Sequence, residues 1–310
     1  MRIVYYPDHR IEQGRYAATI GFFDGVHTGH VFVIRHLKAV AFRTGCESMV
    51  ITFDKHPRQV VDPAWQPQLL TTLDEKAERL RLTGIDVLVV LRFDRAMAAL
   101  TARRFMQEVL RDSLHVEHLL TGYDNRFGHD RTEGFSDYVA YGRELGISVE
   151  RSHRVMTDDD ELVSSSLVRR MLSEGDVEQA ARCLGYCYRL SGRVVHGEQV
   201  GRRLGFPTAN IMPTDDSRLV PAAGVYAVMV AIEGSDGQYK GMMNIGTRPT
   251  FGPHGRTLEV NIFDFEGDIY NKVLTVSFTG HLRSEQRFDT PEALVAQMQR
   301  DAEQARHLLS

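Results

Sequence analysis

The chain of 310 residues lacks several features that would have narrowed its class at once. Its three cysteines, Cys46, Cys183 and Cys187, make no disulfide framework and read as reduced thiols. No apolar run is long enough to cross a bilayer, and the segment from Met1 to Pro7 has no signal-peptide core, so the cytoplasm is the expected compartment. There is no long basic stretch. With 37 basic and 41 acidic residues the net charge is −4, which argues against extended nucleic-acid binding. No Gly-x-x-x-x-Gly-Lys-Ser/Thr loop occurs, so any phosphate chemistry must rest on another design. Internal repeats and low-complexity segments are also missing, and nothing in the sequence fixes the oligomeric state.

The length suits two domains, each with its own core. Up to about Gly185, short apolar runs alternate with helical patterns, as in a parallel α/β sheet. Strands are expected over Ala17 to Phe23, Ser48 to Phe53, Val87 to Phe93 and His118 to Gly122. Helices are expected over Val31 to Arg43, Leu73 to Thr83, Leu100 to Asp112 and Phe135 to Leu145. Gly84, Gly146 and Gly185 stand where helices end, and Asp176 with Gln179 opens the helix before Gly185. From Tyr188 the texture becomes β-rich: Leu190 to Val195, Gly224 to Ile232, Leu258 to Phe265 and Val273 to Phe278 suggest a small antiparallel barrel. A terminal helix begins at Thr290-Pro291. The boundary is expected near 185–188, giving domains 1–186 and 187–310.

The segment Gly21-Phe22-Phe23-Asp24-Gly25-Val26-His27-Thr28-Gly29-His30 runs from a strand into a helix. Backbone N–H groups and the positive end of the helix dipole gather there, a seat for phosphate, and Gly29 leaves room for a flat base. The pair His27 and His30 could instead contribute to a zinc site, but no third ligand is evident nearby. Three further segments carry polar side chains at element ends. Gly122-Tyr123-Asp124-Asn125-Arg126-Phe127-Gly128, with Arg131 beyond it, follows a strand, where ligands of open α/β sheets gather. Ser164-Ser165-Ser166-Leu167-Val168-Arg169 opens a helix with hydroxyls and one planar cation, which suits the outer phosphates of ATP or a plain serine cap. Thr52-Phe53-Asp54-Lys55-His56-Pro57 follows another strand and could be a turn.

In the β-rich half, Gly201-Arg202-Arg203-Leu204-Gly205-Phe206-Pro207-Thr208-Ala209-Asn210 places Thr208 and Asn210 on one face of an extended strand. Two neutral oxygen ligands there could hold Mg²⁺ beside ATP, whose phosphates bring the charge; the segment could also be a turn before a strand. Glu259, by itself, reads as an exposed strand carboxylate.

Taken together these segments resemble the bifunctional bacterial riboflavin kinase/FAD synthetase family over essentially the whole chain. The family's Gly-x-Phe-Asp-Gly-x-His-x-Gly-His element is Gly21 to His30; its Thr-Phe-x-x-His-Pro, Gly-x-Asp-x-Arg-Phe-Gly and Ser-Ser-x-x-x-Arg elements are the three segments above. Gly201 to Asn210 matches its kinase element, with further matches at Gly224 to Ala227, Asn244 to Phe251 and Leu282 to Glu285. Ser166 stands where threonine is commoner, Asn125 where an aromatic is usual, and Asn271 where glycine is more frequent. The resemblance implies a Rossmann-like nucleotidyltransferase domain followed by a riboflavin kinase barrel. The first would join FMN to the AMP part of ATP, giving FAD and pyrophosphate; the second would phosphorylate riboflavin. It further implies nucleotide contacts at Gly21, Phe22, Asp24, Gly29, Gly122, Asn125, Arg126, Ser164, Ser165, Gly201, Gly205 and Pro207. Charge stabilisation would fall to His27, His30 and Arg169, flavin contacts to Phe53, His56 and a loop residue Arg283, Mg²⁺ ligation to Thr208 and Asn210, and the general base to Glu259. A single-activity enzyme with one degenerate module, or a non-catalytic flavin-binding protein, are the alternatives.

Overall fold

The computed structural model describes residues 1–62, 64–123, 125–129, 132–197, 201, 205–247 and 256–310. Asp124, Arg131, Arg202, Arg203, Leu204, Arg248, Pro249, Thr250 and Phe251, singled out above, lie outside them. The chain divides into two compact units, Met1–Ser164 and Ser165–Ser310.

The first unit is built on six parallel strands: β1 (Arg2–Tyr6), β2 (Tyr16–Ile20), β3 (Glu47–Phe53), β4 (Val87–Leu91), β5 (Val116–Thr121) and β6 (Ser148–Arg151), in the order β1-β4-β3-β2-β5-β6. Every residue of β2 and β4 is buried, as expected of strands covered on both faces. Alternation splits the core in two. Met49 and Ile51 face one side with Phe105, Met106 and Tyr138, while Val50 faces the other with Ile34, Leu37 and Leu80. The second side is covered by α1 (Thr28–Thr44) and α3 (Leu73–Leu82); between them in sequence lies the short α2 (Pro57–Val61). After α4 (Arg95–Ala98), the helix expected over Leu100 to Asp112 begins as α5 (Ala102–Arg104) and continues as a π-helical stretch, Phe105–Arg111. The helix α6 (Phe135–Leu145) matches its expected bounds and ends on Gly146 at φ 74°. The chain steps from β2 to β3 on one side and β5 lies on the other, so the loops after β2 and β5 diverge at a topological switch point.

The second unit opens with α7 (Ser165–Glu174) and α8 (Val177–Leu184), the latter capped by Asp176 and closed by Gly185. A closed antiparallel barrel follows: β7 (Arg189–Val195), β8 (Ala209–Pro213), β9 (Gly224–Ile232), β10 (Gln238–Thr247), β11 (Arg256–Ile262) and β12 (Val273–Ser284), ordered β10-β11-β8-β7-β12-β9. Leu190, Val228, Val230, Leu274, Val276 and Phe278 are fully buried in it. The strand expected to stop at Phe278 runs on to Ser284, because two irregularities, between Phe278 and Gly280 and between His281 and Arg283, let it bend and keep pairing with β9. Asn271 takes φ 62° in the turn before β12. The last helix, α9 (Pro291–Leu308), is capped by Thr290 and packs Ala302 and Ala305 against Ala227 and Met242. Within this unit α8 is tied to the barrel: His281 donates its backbone N–H to Glu178 Oε1 at 2.9 Å.

Two candidate active sites

In the first unit the site grows from the loop after β2. Gly21 makes a last ladder bond, its N–H to Ile51 O at 3.0 Å, and the chain then turns through Phe23 (φ 53°), Gly25 (φ 75°) and Val26 (φ 39°). A β-branched residue at positive φ is strained by about 1–3 kcal/mol, and such strain persists only where surroundings enforce it. Asp24 supplies the enforcement. It is 2% exposed, and its carboxylate accepts from the backbone N–H groups of Leu70 and Thr71 and from the Thr71 hydroxyl at 3.0 to 3.2 Å. Asp24 therefore serves the loop as an anchor.

His27 caps α1, its Nδ1 accepting from His30 N–H at 3.3 Å. One of the helix's first N–H groups is thus already taken, fewer than the sequence pattern suggested. With Nδ1 an acceptor, the neutral ring carries its proton on Nε2. The His30 ring stacks on His27 at 3.6 Å between centroids and lies 4.9 Å from Phe23. Burial first, then the His27 ring and the Lys76 ammonium, hold His30 well below the usual imidazole range. Among the described residues its buried Nδ1 has no hydrogen-bond partner. A Cβ on Gly29 would stand 3.1 Å from the His27 ring and 3.2 Å from Val163 O, so glycine lets the 163–164 segment close on the histidines. Ser164 ends the first unit; Ser165 and Arg169 follow on α7.

Around this loop the structure gathers residues the sequence pattern did and did not announce. Phe22 meets His56 edge-to-face at 4.7 Å, and His56 meets Trp65 at 4.6 Å. Phe53 instead pairs with Phe93 at 5.2 Å and packs on the sheet core. Gly122 follows β5, and Asn125 donates its Nδ2–H to Ile20 O, tying the 122–128 segment to the end of β2; Arg126 is exposed. Neither Trp65 nor the buried Lys76 stood out in the sequence, since their meaning comes from tertiary neighbours. Among the described residues, the metal-ligating group of three that lies close together is Cys46, Glu117 and His118, not the His27–His30 pair. Both carboxylate oxygens of that Glu117 already accept from Arg15, at 3.0 and 2.9 Å.

In the second unit a cavity of about 640 Å³ is lined by Thr208, Asn210, Asn244 and Glu259. Glu259 on β11 lies directly opposite Asn210 of β8 and opposite Asn244 of β10, so the three side chains form a row on one face. Two glycines roof this row. A Cβ on Gly197 would fall 2.1 Å from Asn210 Nδ2, and one on Gly201 would fall 2.4 Å from Phe206 O and 3.1 Å from Thr208 Oγ1. Asn261, two residues beyond Glu259, donates to Pro207 O at 2.7 Å and fixes the approach to Thr208. Gly205 takes φ 83°, open to glycine without strain. Arg283 is not the loop residue expected: it lies in the last stretch of pairing of β12, one residue before Ser284, and its guanidinium forks onto Asp301 of α9 at 2.9 to 3.1 Å. The pair lines the same cavity.

A parallel sheet with a strained histidine loop at its switch point, and a barrel with a carboxylate beside neutral polar side chains, define a two-module enzyme with one polar site in each. Comparison with known proteins makes this particular. The FAD synthetase family model matches residues 9–167 and the riboflavin kinase model residues 184–309. Bifunctional riboflavin kinase/FMN adenylyltransferases are similar throughout: the Pseudomonas fluorescens protein is 40% identical over 97% of this chain and 94% of its own, and the Escherichia coli K12 protein 37% identical over 93% and 91%. A crystal structure described as a macrolide-efflux protein from Streptococcus pneumoniae shares the fold, with TM-score 0.88 and 28% identity over 99% of both chains. Among the described residues, no helix of this chain is long and apolar enough to cross a membrane. The chain belongs to the bifunctional riboflavin kinase/FMN adenylyltransferase family, with both modules present.

Proposed function

We propose that the two reactions of flavin cofactor synthesis run at the residues placed above. In the barrel, Glu259 takes the proton of the riboflavin 5′-hydroxyl as that oxygen attacks the γ-phosphorus of ATP; the bond from that phosphorus to the β–γ bridging oxygen breaks, and ADP leaves. An alcohol needs this help, because its alkoxide is inaccessible at neutral pH, and a positioned base contributes about 10²- to 10⁴-fold. The observation that carries the reading is the row Asn210–Glu259–Asn244 on the cavity wall. Thr208 and Asn210 fit Mg²⁺: both offer neutral oxygens, and their side chains lie against Gly201 and Gly197, where a Cβ would intrude. When bound, the ion would offset the charge of the ATP phosphates. Arg283, held by Asp301, borders the flavin end of the cavity.

In the first unit the FMN phosphate, already an anion, attacks the α-phosphorus of ATP and pyrophosphate leaves, so no strong base is required. The barrier lies in bringing anions together and in charge developing on the leaving group. In this reading His27, His30 and the Ser164 hydroxyl meet that charge, and Ser165 and Arg169 are assigned to it from the sequence motif alone. The anchored loop Gly21–Gly29, with Phe22, Gly122, Asn125 and Arg126, seats the nucleotide, and His56, beside Phe22 and Trp65, borders the flavin, while Phe53 stays packed with Phe93. FAD formation belongs to residues 1–186 and the kinase to 187–310. Partners are small molecules and not nucleic acid, and the enzyme works in the cytoplasm. The test is Glu259→Gln: FMN formation from riboflavin should fall by roughly two to four orders of magnitude while supplied FMN still becomes FAD. A wild-type kinase rate in that variant removes Glu259 from the chemistry.

A further inference from the structure

Lys76 sits on α3, whose N-terminus is closed by Thr72 and Glu75 in a reciprocal capping box. Its neighbours Asp74, Glu75, Glu78 and Arg79 belong to the solvent-facing or capping part of the helix, yet Lys76 is 2% exposed. A lysine so deeply buried is rare unless an anion pairs with it. Among the described residues no carboxylate forms an ion pair with it. Its ammonium has Thr52 Oγ1 at 3.4 Å and the Phe22 ring centroid at 3.8 Å, so three N–H donors meet one long hydroxyl contact and one aromatic face. Burial pushes the amine down to about 8, with the Asp24 carboxylate opposing that shift. For packing alone, a methionine of similar length would be the more comfortable occupant.

We propose that Lys76 is a positioning residue for FMN adenylylation, a buried cation that holds Phe22 in place and sets a positive charge beneath the phosphate loop. Its grip on Phe22 is double: the ammonium lies on the ring, and Thr52, which it contacts, donates its hydroxyl to Phe22 O at 3.0 Å. The ring so fixed carries His56 on its edge. The charge also bears on His30, helping to keep that ring neutral. The charged or titratable groups acting on Lys76 are Asp24 from the loop and His30 from α1, while β3 contributes Thr52, which carries no charge. Two anionic substrates must meet in this loop, and a fixed positive charge in a low-dielectric setting lowers the cost of that approach.

The inference rests on the assignment of Gly21–His30 to adenylyl transfer, so Lys76→Met is compared with His30→Ala in the full chain. For Lys76→Met the expected result is a fall of about ten- to a hundredfold in FAD formation from FMN, the scale of disturbing a positioning contact. FMN formation from riboflavin should be unchanged and thermal stability equal to or above that of the wild type. A second readout separates function from structure: kcat/KM for FAD formation in the wild type should decline as pH rises through about 8, and this decline should vanish in Lys76→Met. Full FAD formation in Lys76→Met, or loss of activity with an unaltered pH profile and lowered stability, overturns the proposal. If His30→Ala loses FAD formation while Lys76→Met keeps it, only the role of Lys76 falls. If both keep it, the assignment of the loop falls as well.

Discussion

Gly197→Ala is a sharp test of the kinase site, because the packing of Gly197 against Asn210 is visible only in the fold. Its added methyl would stand 2.1 Å from Asn210 Nδ2 and 2.6 Å from Asn210 Cγ. Non-bonded carbon and nitrogen need well over 3 Å, so the amide or the backbone at 197 must give way by roughly 1 Å, which in a packed site costs about 1–3 kcal/mol. Gly197 lies beyond the end of β7 at Val195, so the strain falls on the cavity and spares the barrel core. Asn210 stands opposite Glu259, and a misplacement of about 1 Å beside the reacting groups is worth about a hundredfold in rate, or roughly 2.7 kcal/mol of barrier. The assay is chromatographic separation of FMN formed from riboflavin at saturating ATP and Mg²⁺, with conversion of supplied FMN to FAD as the control within the same chain. Gly205→Ala is the comparison: among the described residues, its chain neighbours aside, no atom lies within 4 Å of its Cβ, so its cost is that of the left-handed backbone, about 1–2 kcal/mol, without displacement of Asn210. A Gly197→Ala enzyme that makes FMN at the wild-type rate would refute the cradle around Asn210.

Two further outcomes follow from the same geometry. Thr208→Val combined with Asn210→Ala should raise the Mg²⁺ and ATP concentrations needed for FMN formation and leave FAD formation from FMN untouched; an unchanged Mg²⁺ titration would show that these residues shape the loop and ligate nothing. The buried amine of Lys76 makes stability depend on pH: its folded value, about 8 against an ordinary 10.5, means the native state holds fewer protons than the unfolded chain between those values. Stability of the first unit should therefore rise as pH increases from 8 to 10.5, by up to about 3 kcal/mol, and fall again as pH returns through 8. Chemical denaturation across that window should show the rise in the wild type and its loss in Lys76→Met.

The elements visible in the sequence were those whose burial is continuous or whose ends carry a chemical marker. β2 and β4 are apolar throughout, and α6 and α9 end or begin on Gly146 and Thr290-Pro291. The edge strands β1 and β6 escaped because each is half exposed and has no continuous apolar run. β10 escaped for another reason: Gly241, Asn244 and Gly246 interrupt its apolar pattern, two of them where the strand borders the cavity. Of the candidate sites, the histidine pair and the spacing of Thr208 and Asn210 were legible as candidates because their residue types stand together in local order. The job of Asp24 was not, since its partners Leu70 and Thr71 lie 46 and 47 residues away. Arg283 was misplaced in a loop because the bulges that prolong β12 leave no plain alternation, and Lys76 and Gly197 depend wholly on distant neighbours.

The measurement closest to the central claim is a single incubation of the purified chain with riboflavin, ATP and Mg²⁺, sampled over time for flavins, ADP and pyrophosphate. FMN should appear first with one ADP per riboflavin phosphorylated, and FAD should follow with one pyrophosphate per FAD. Accumulation of FMN with no FAD, conversion of supplied FMN without any phosphorylation of riboflavin, or bound but unaltered riboflavin would each contradict two working sites in one chain.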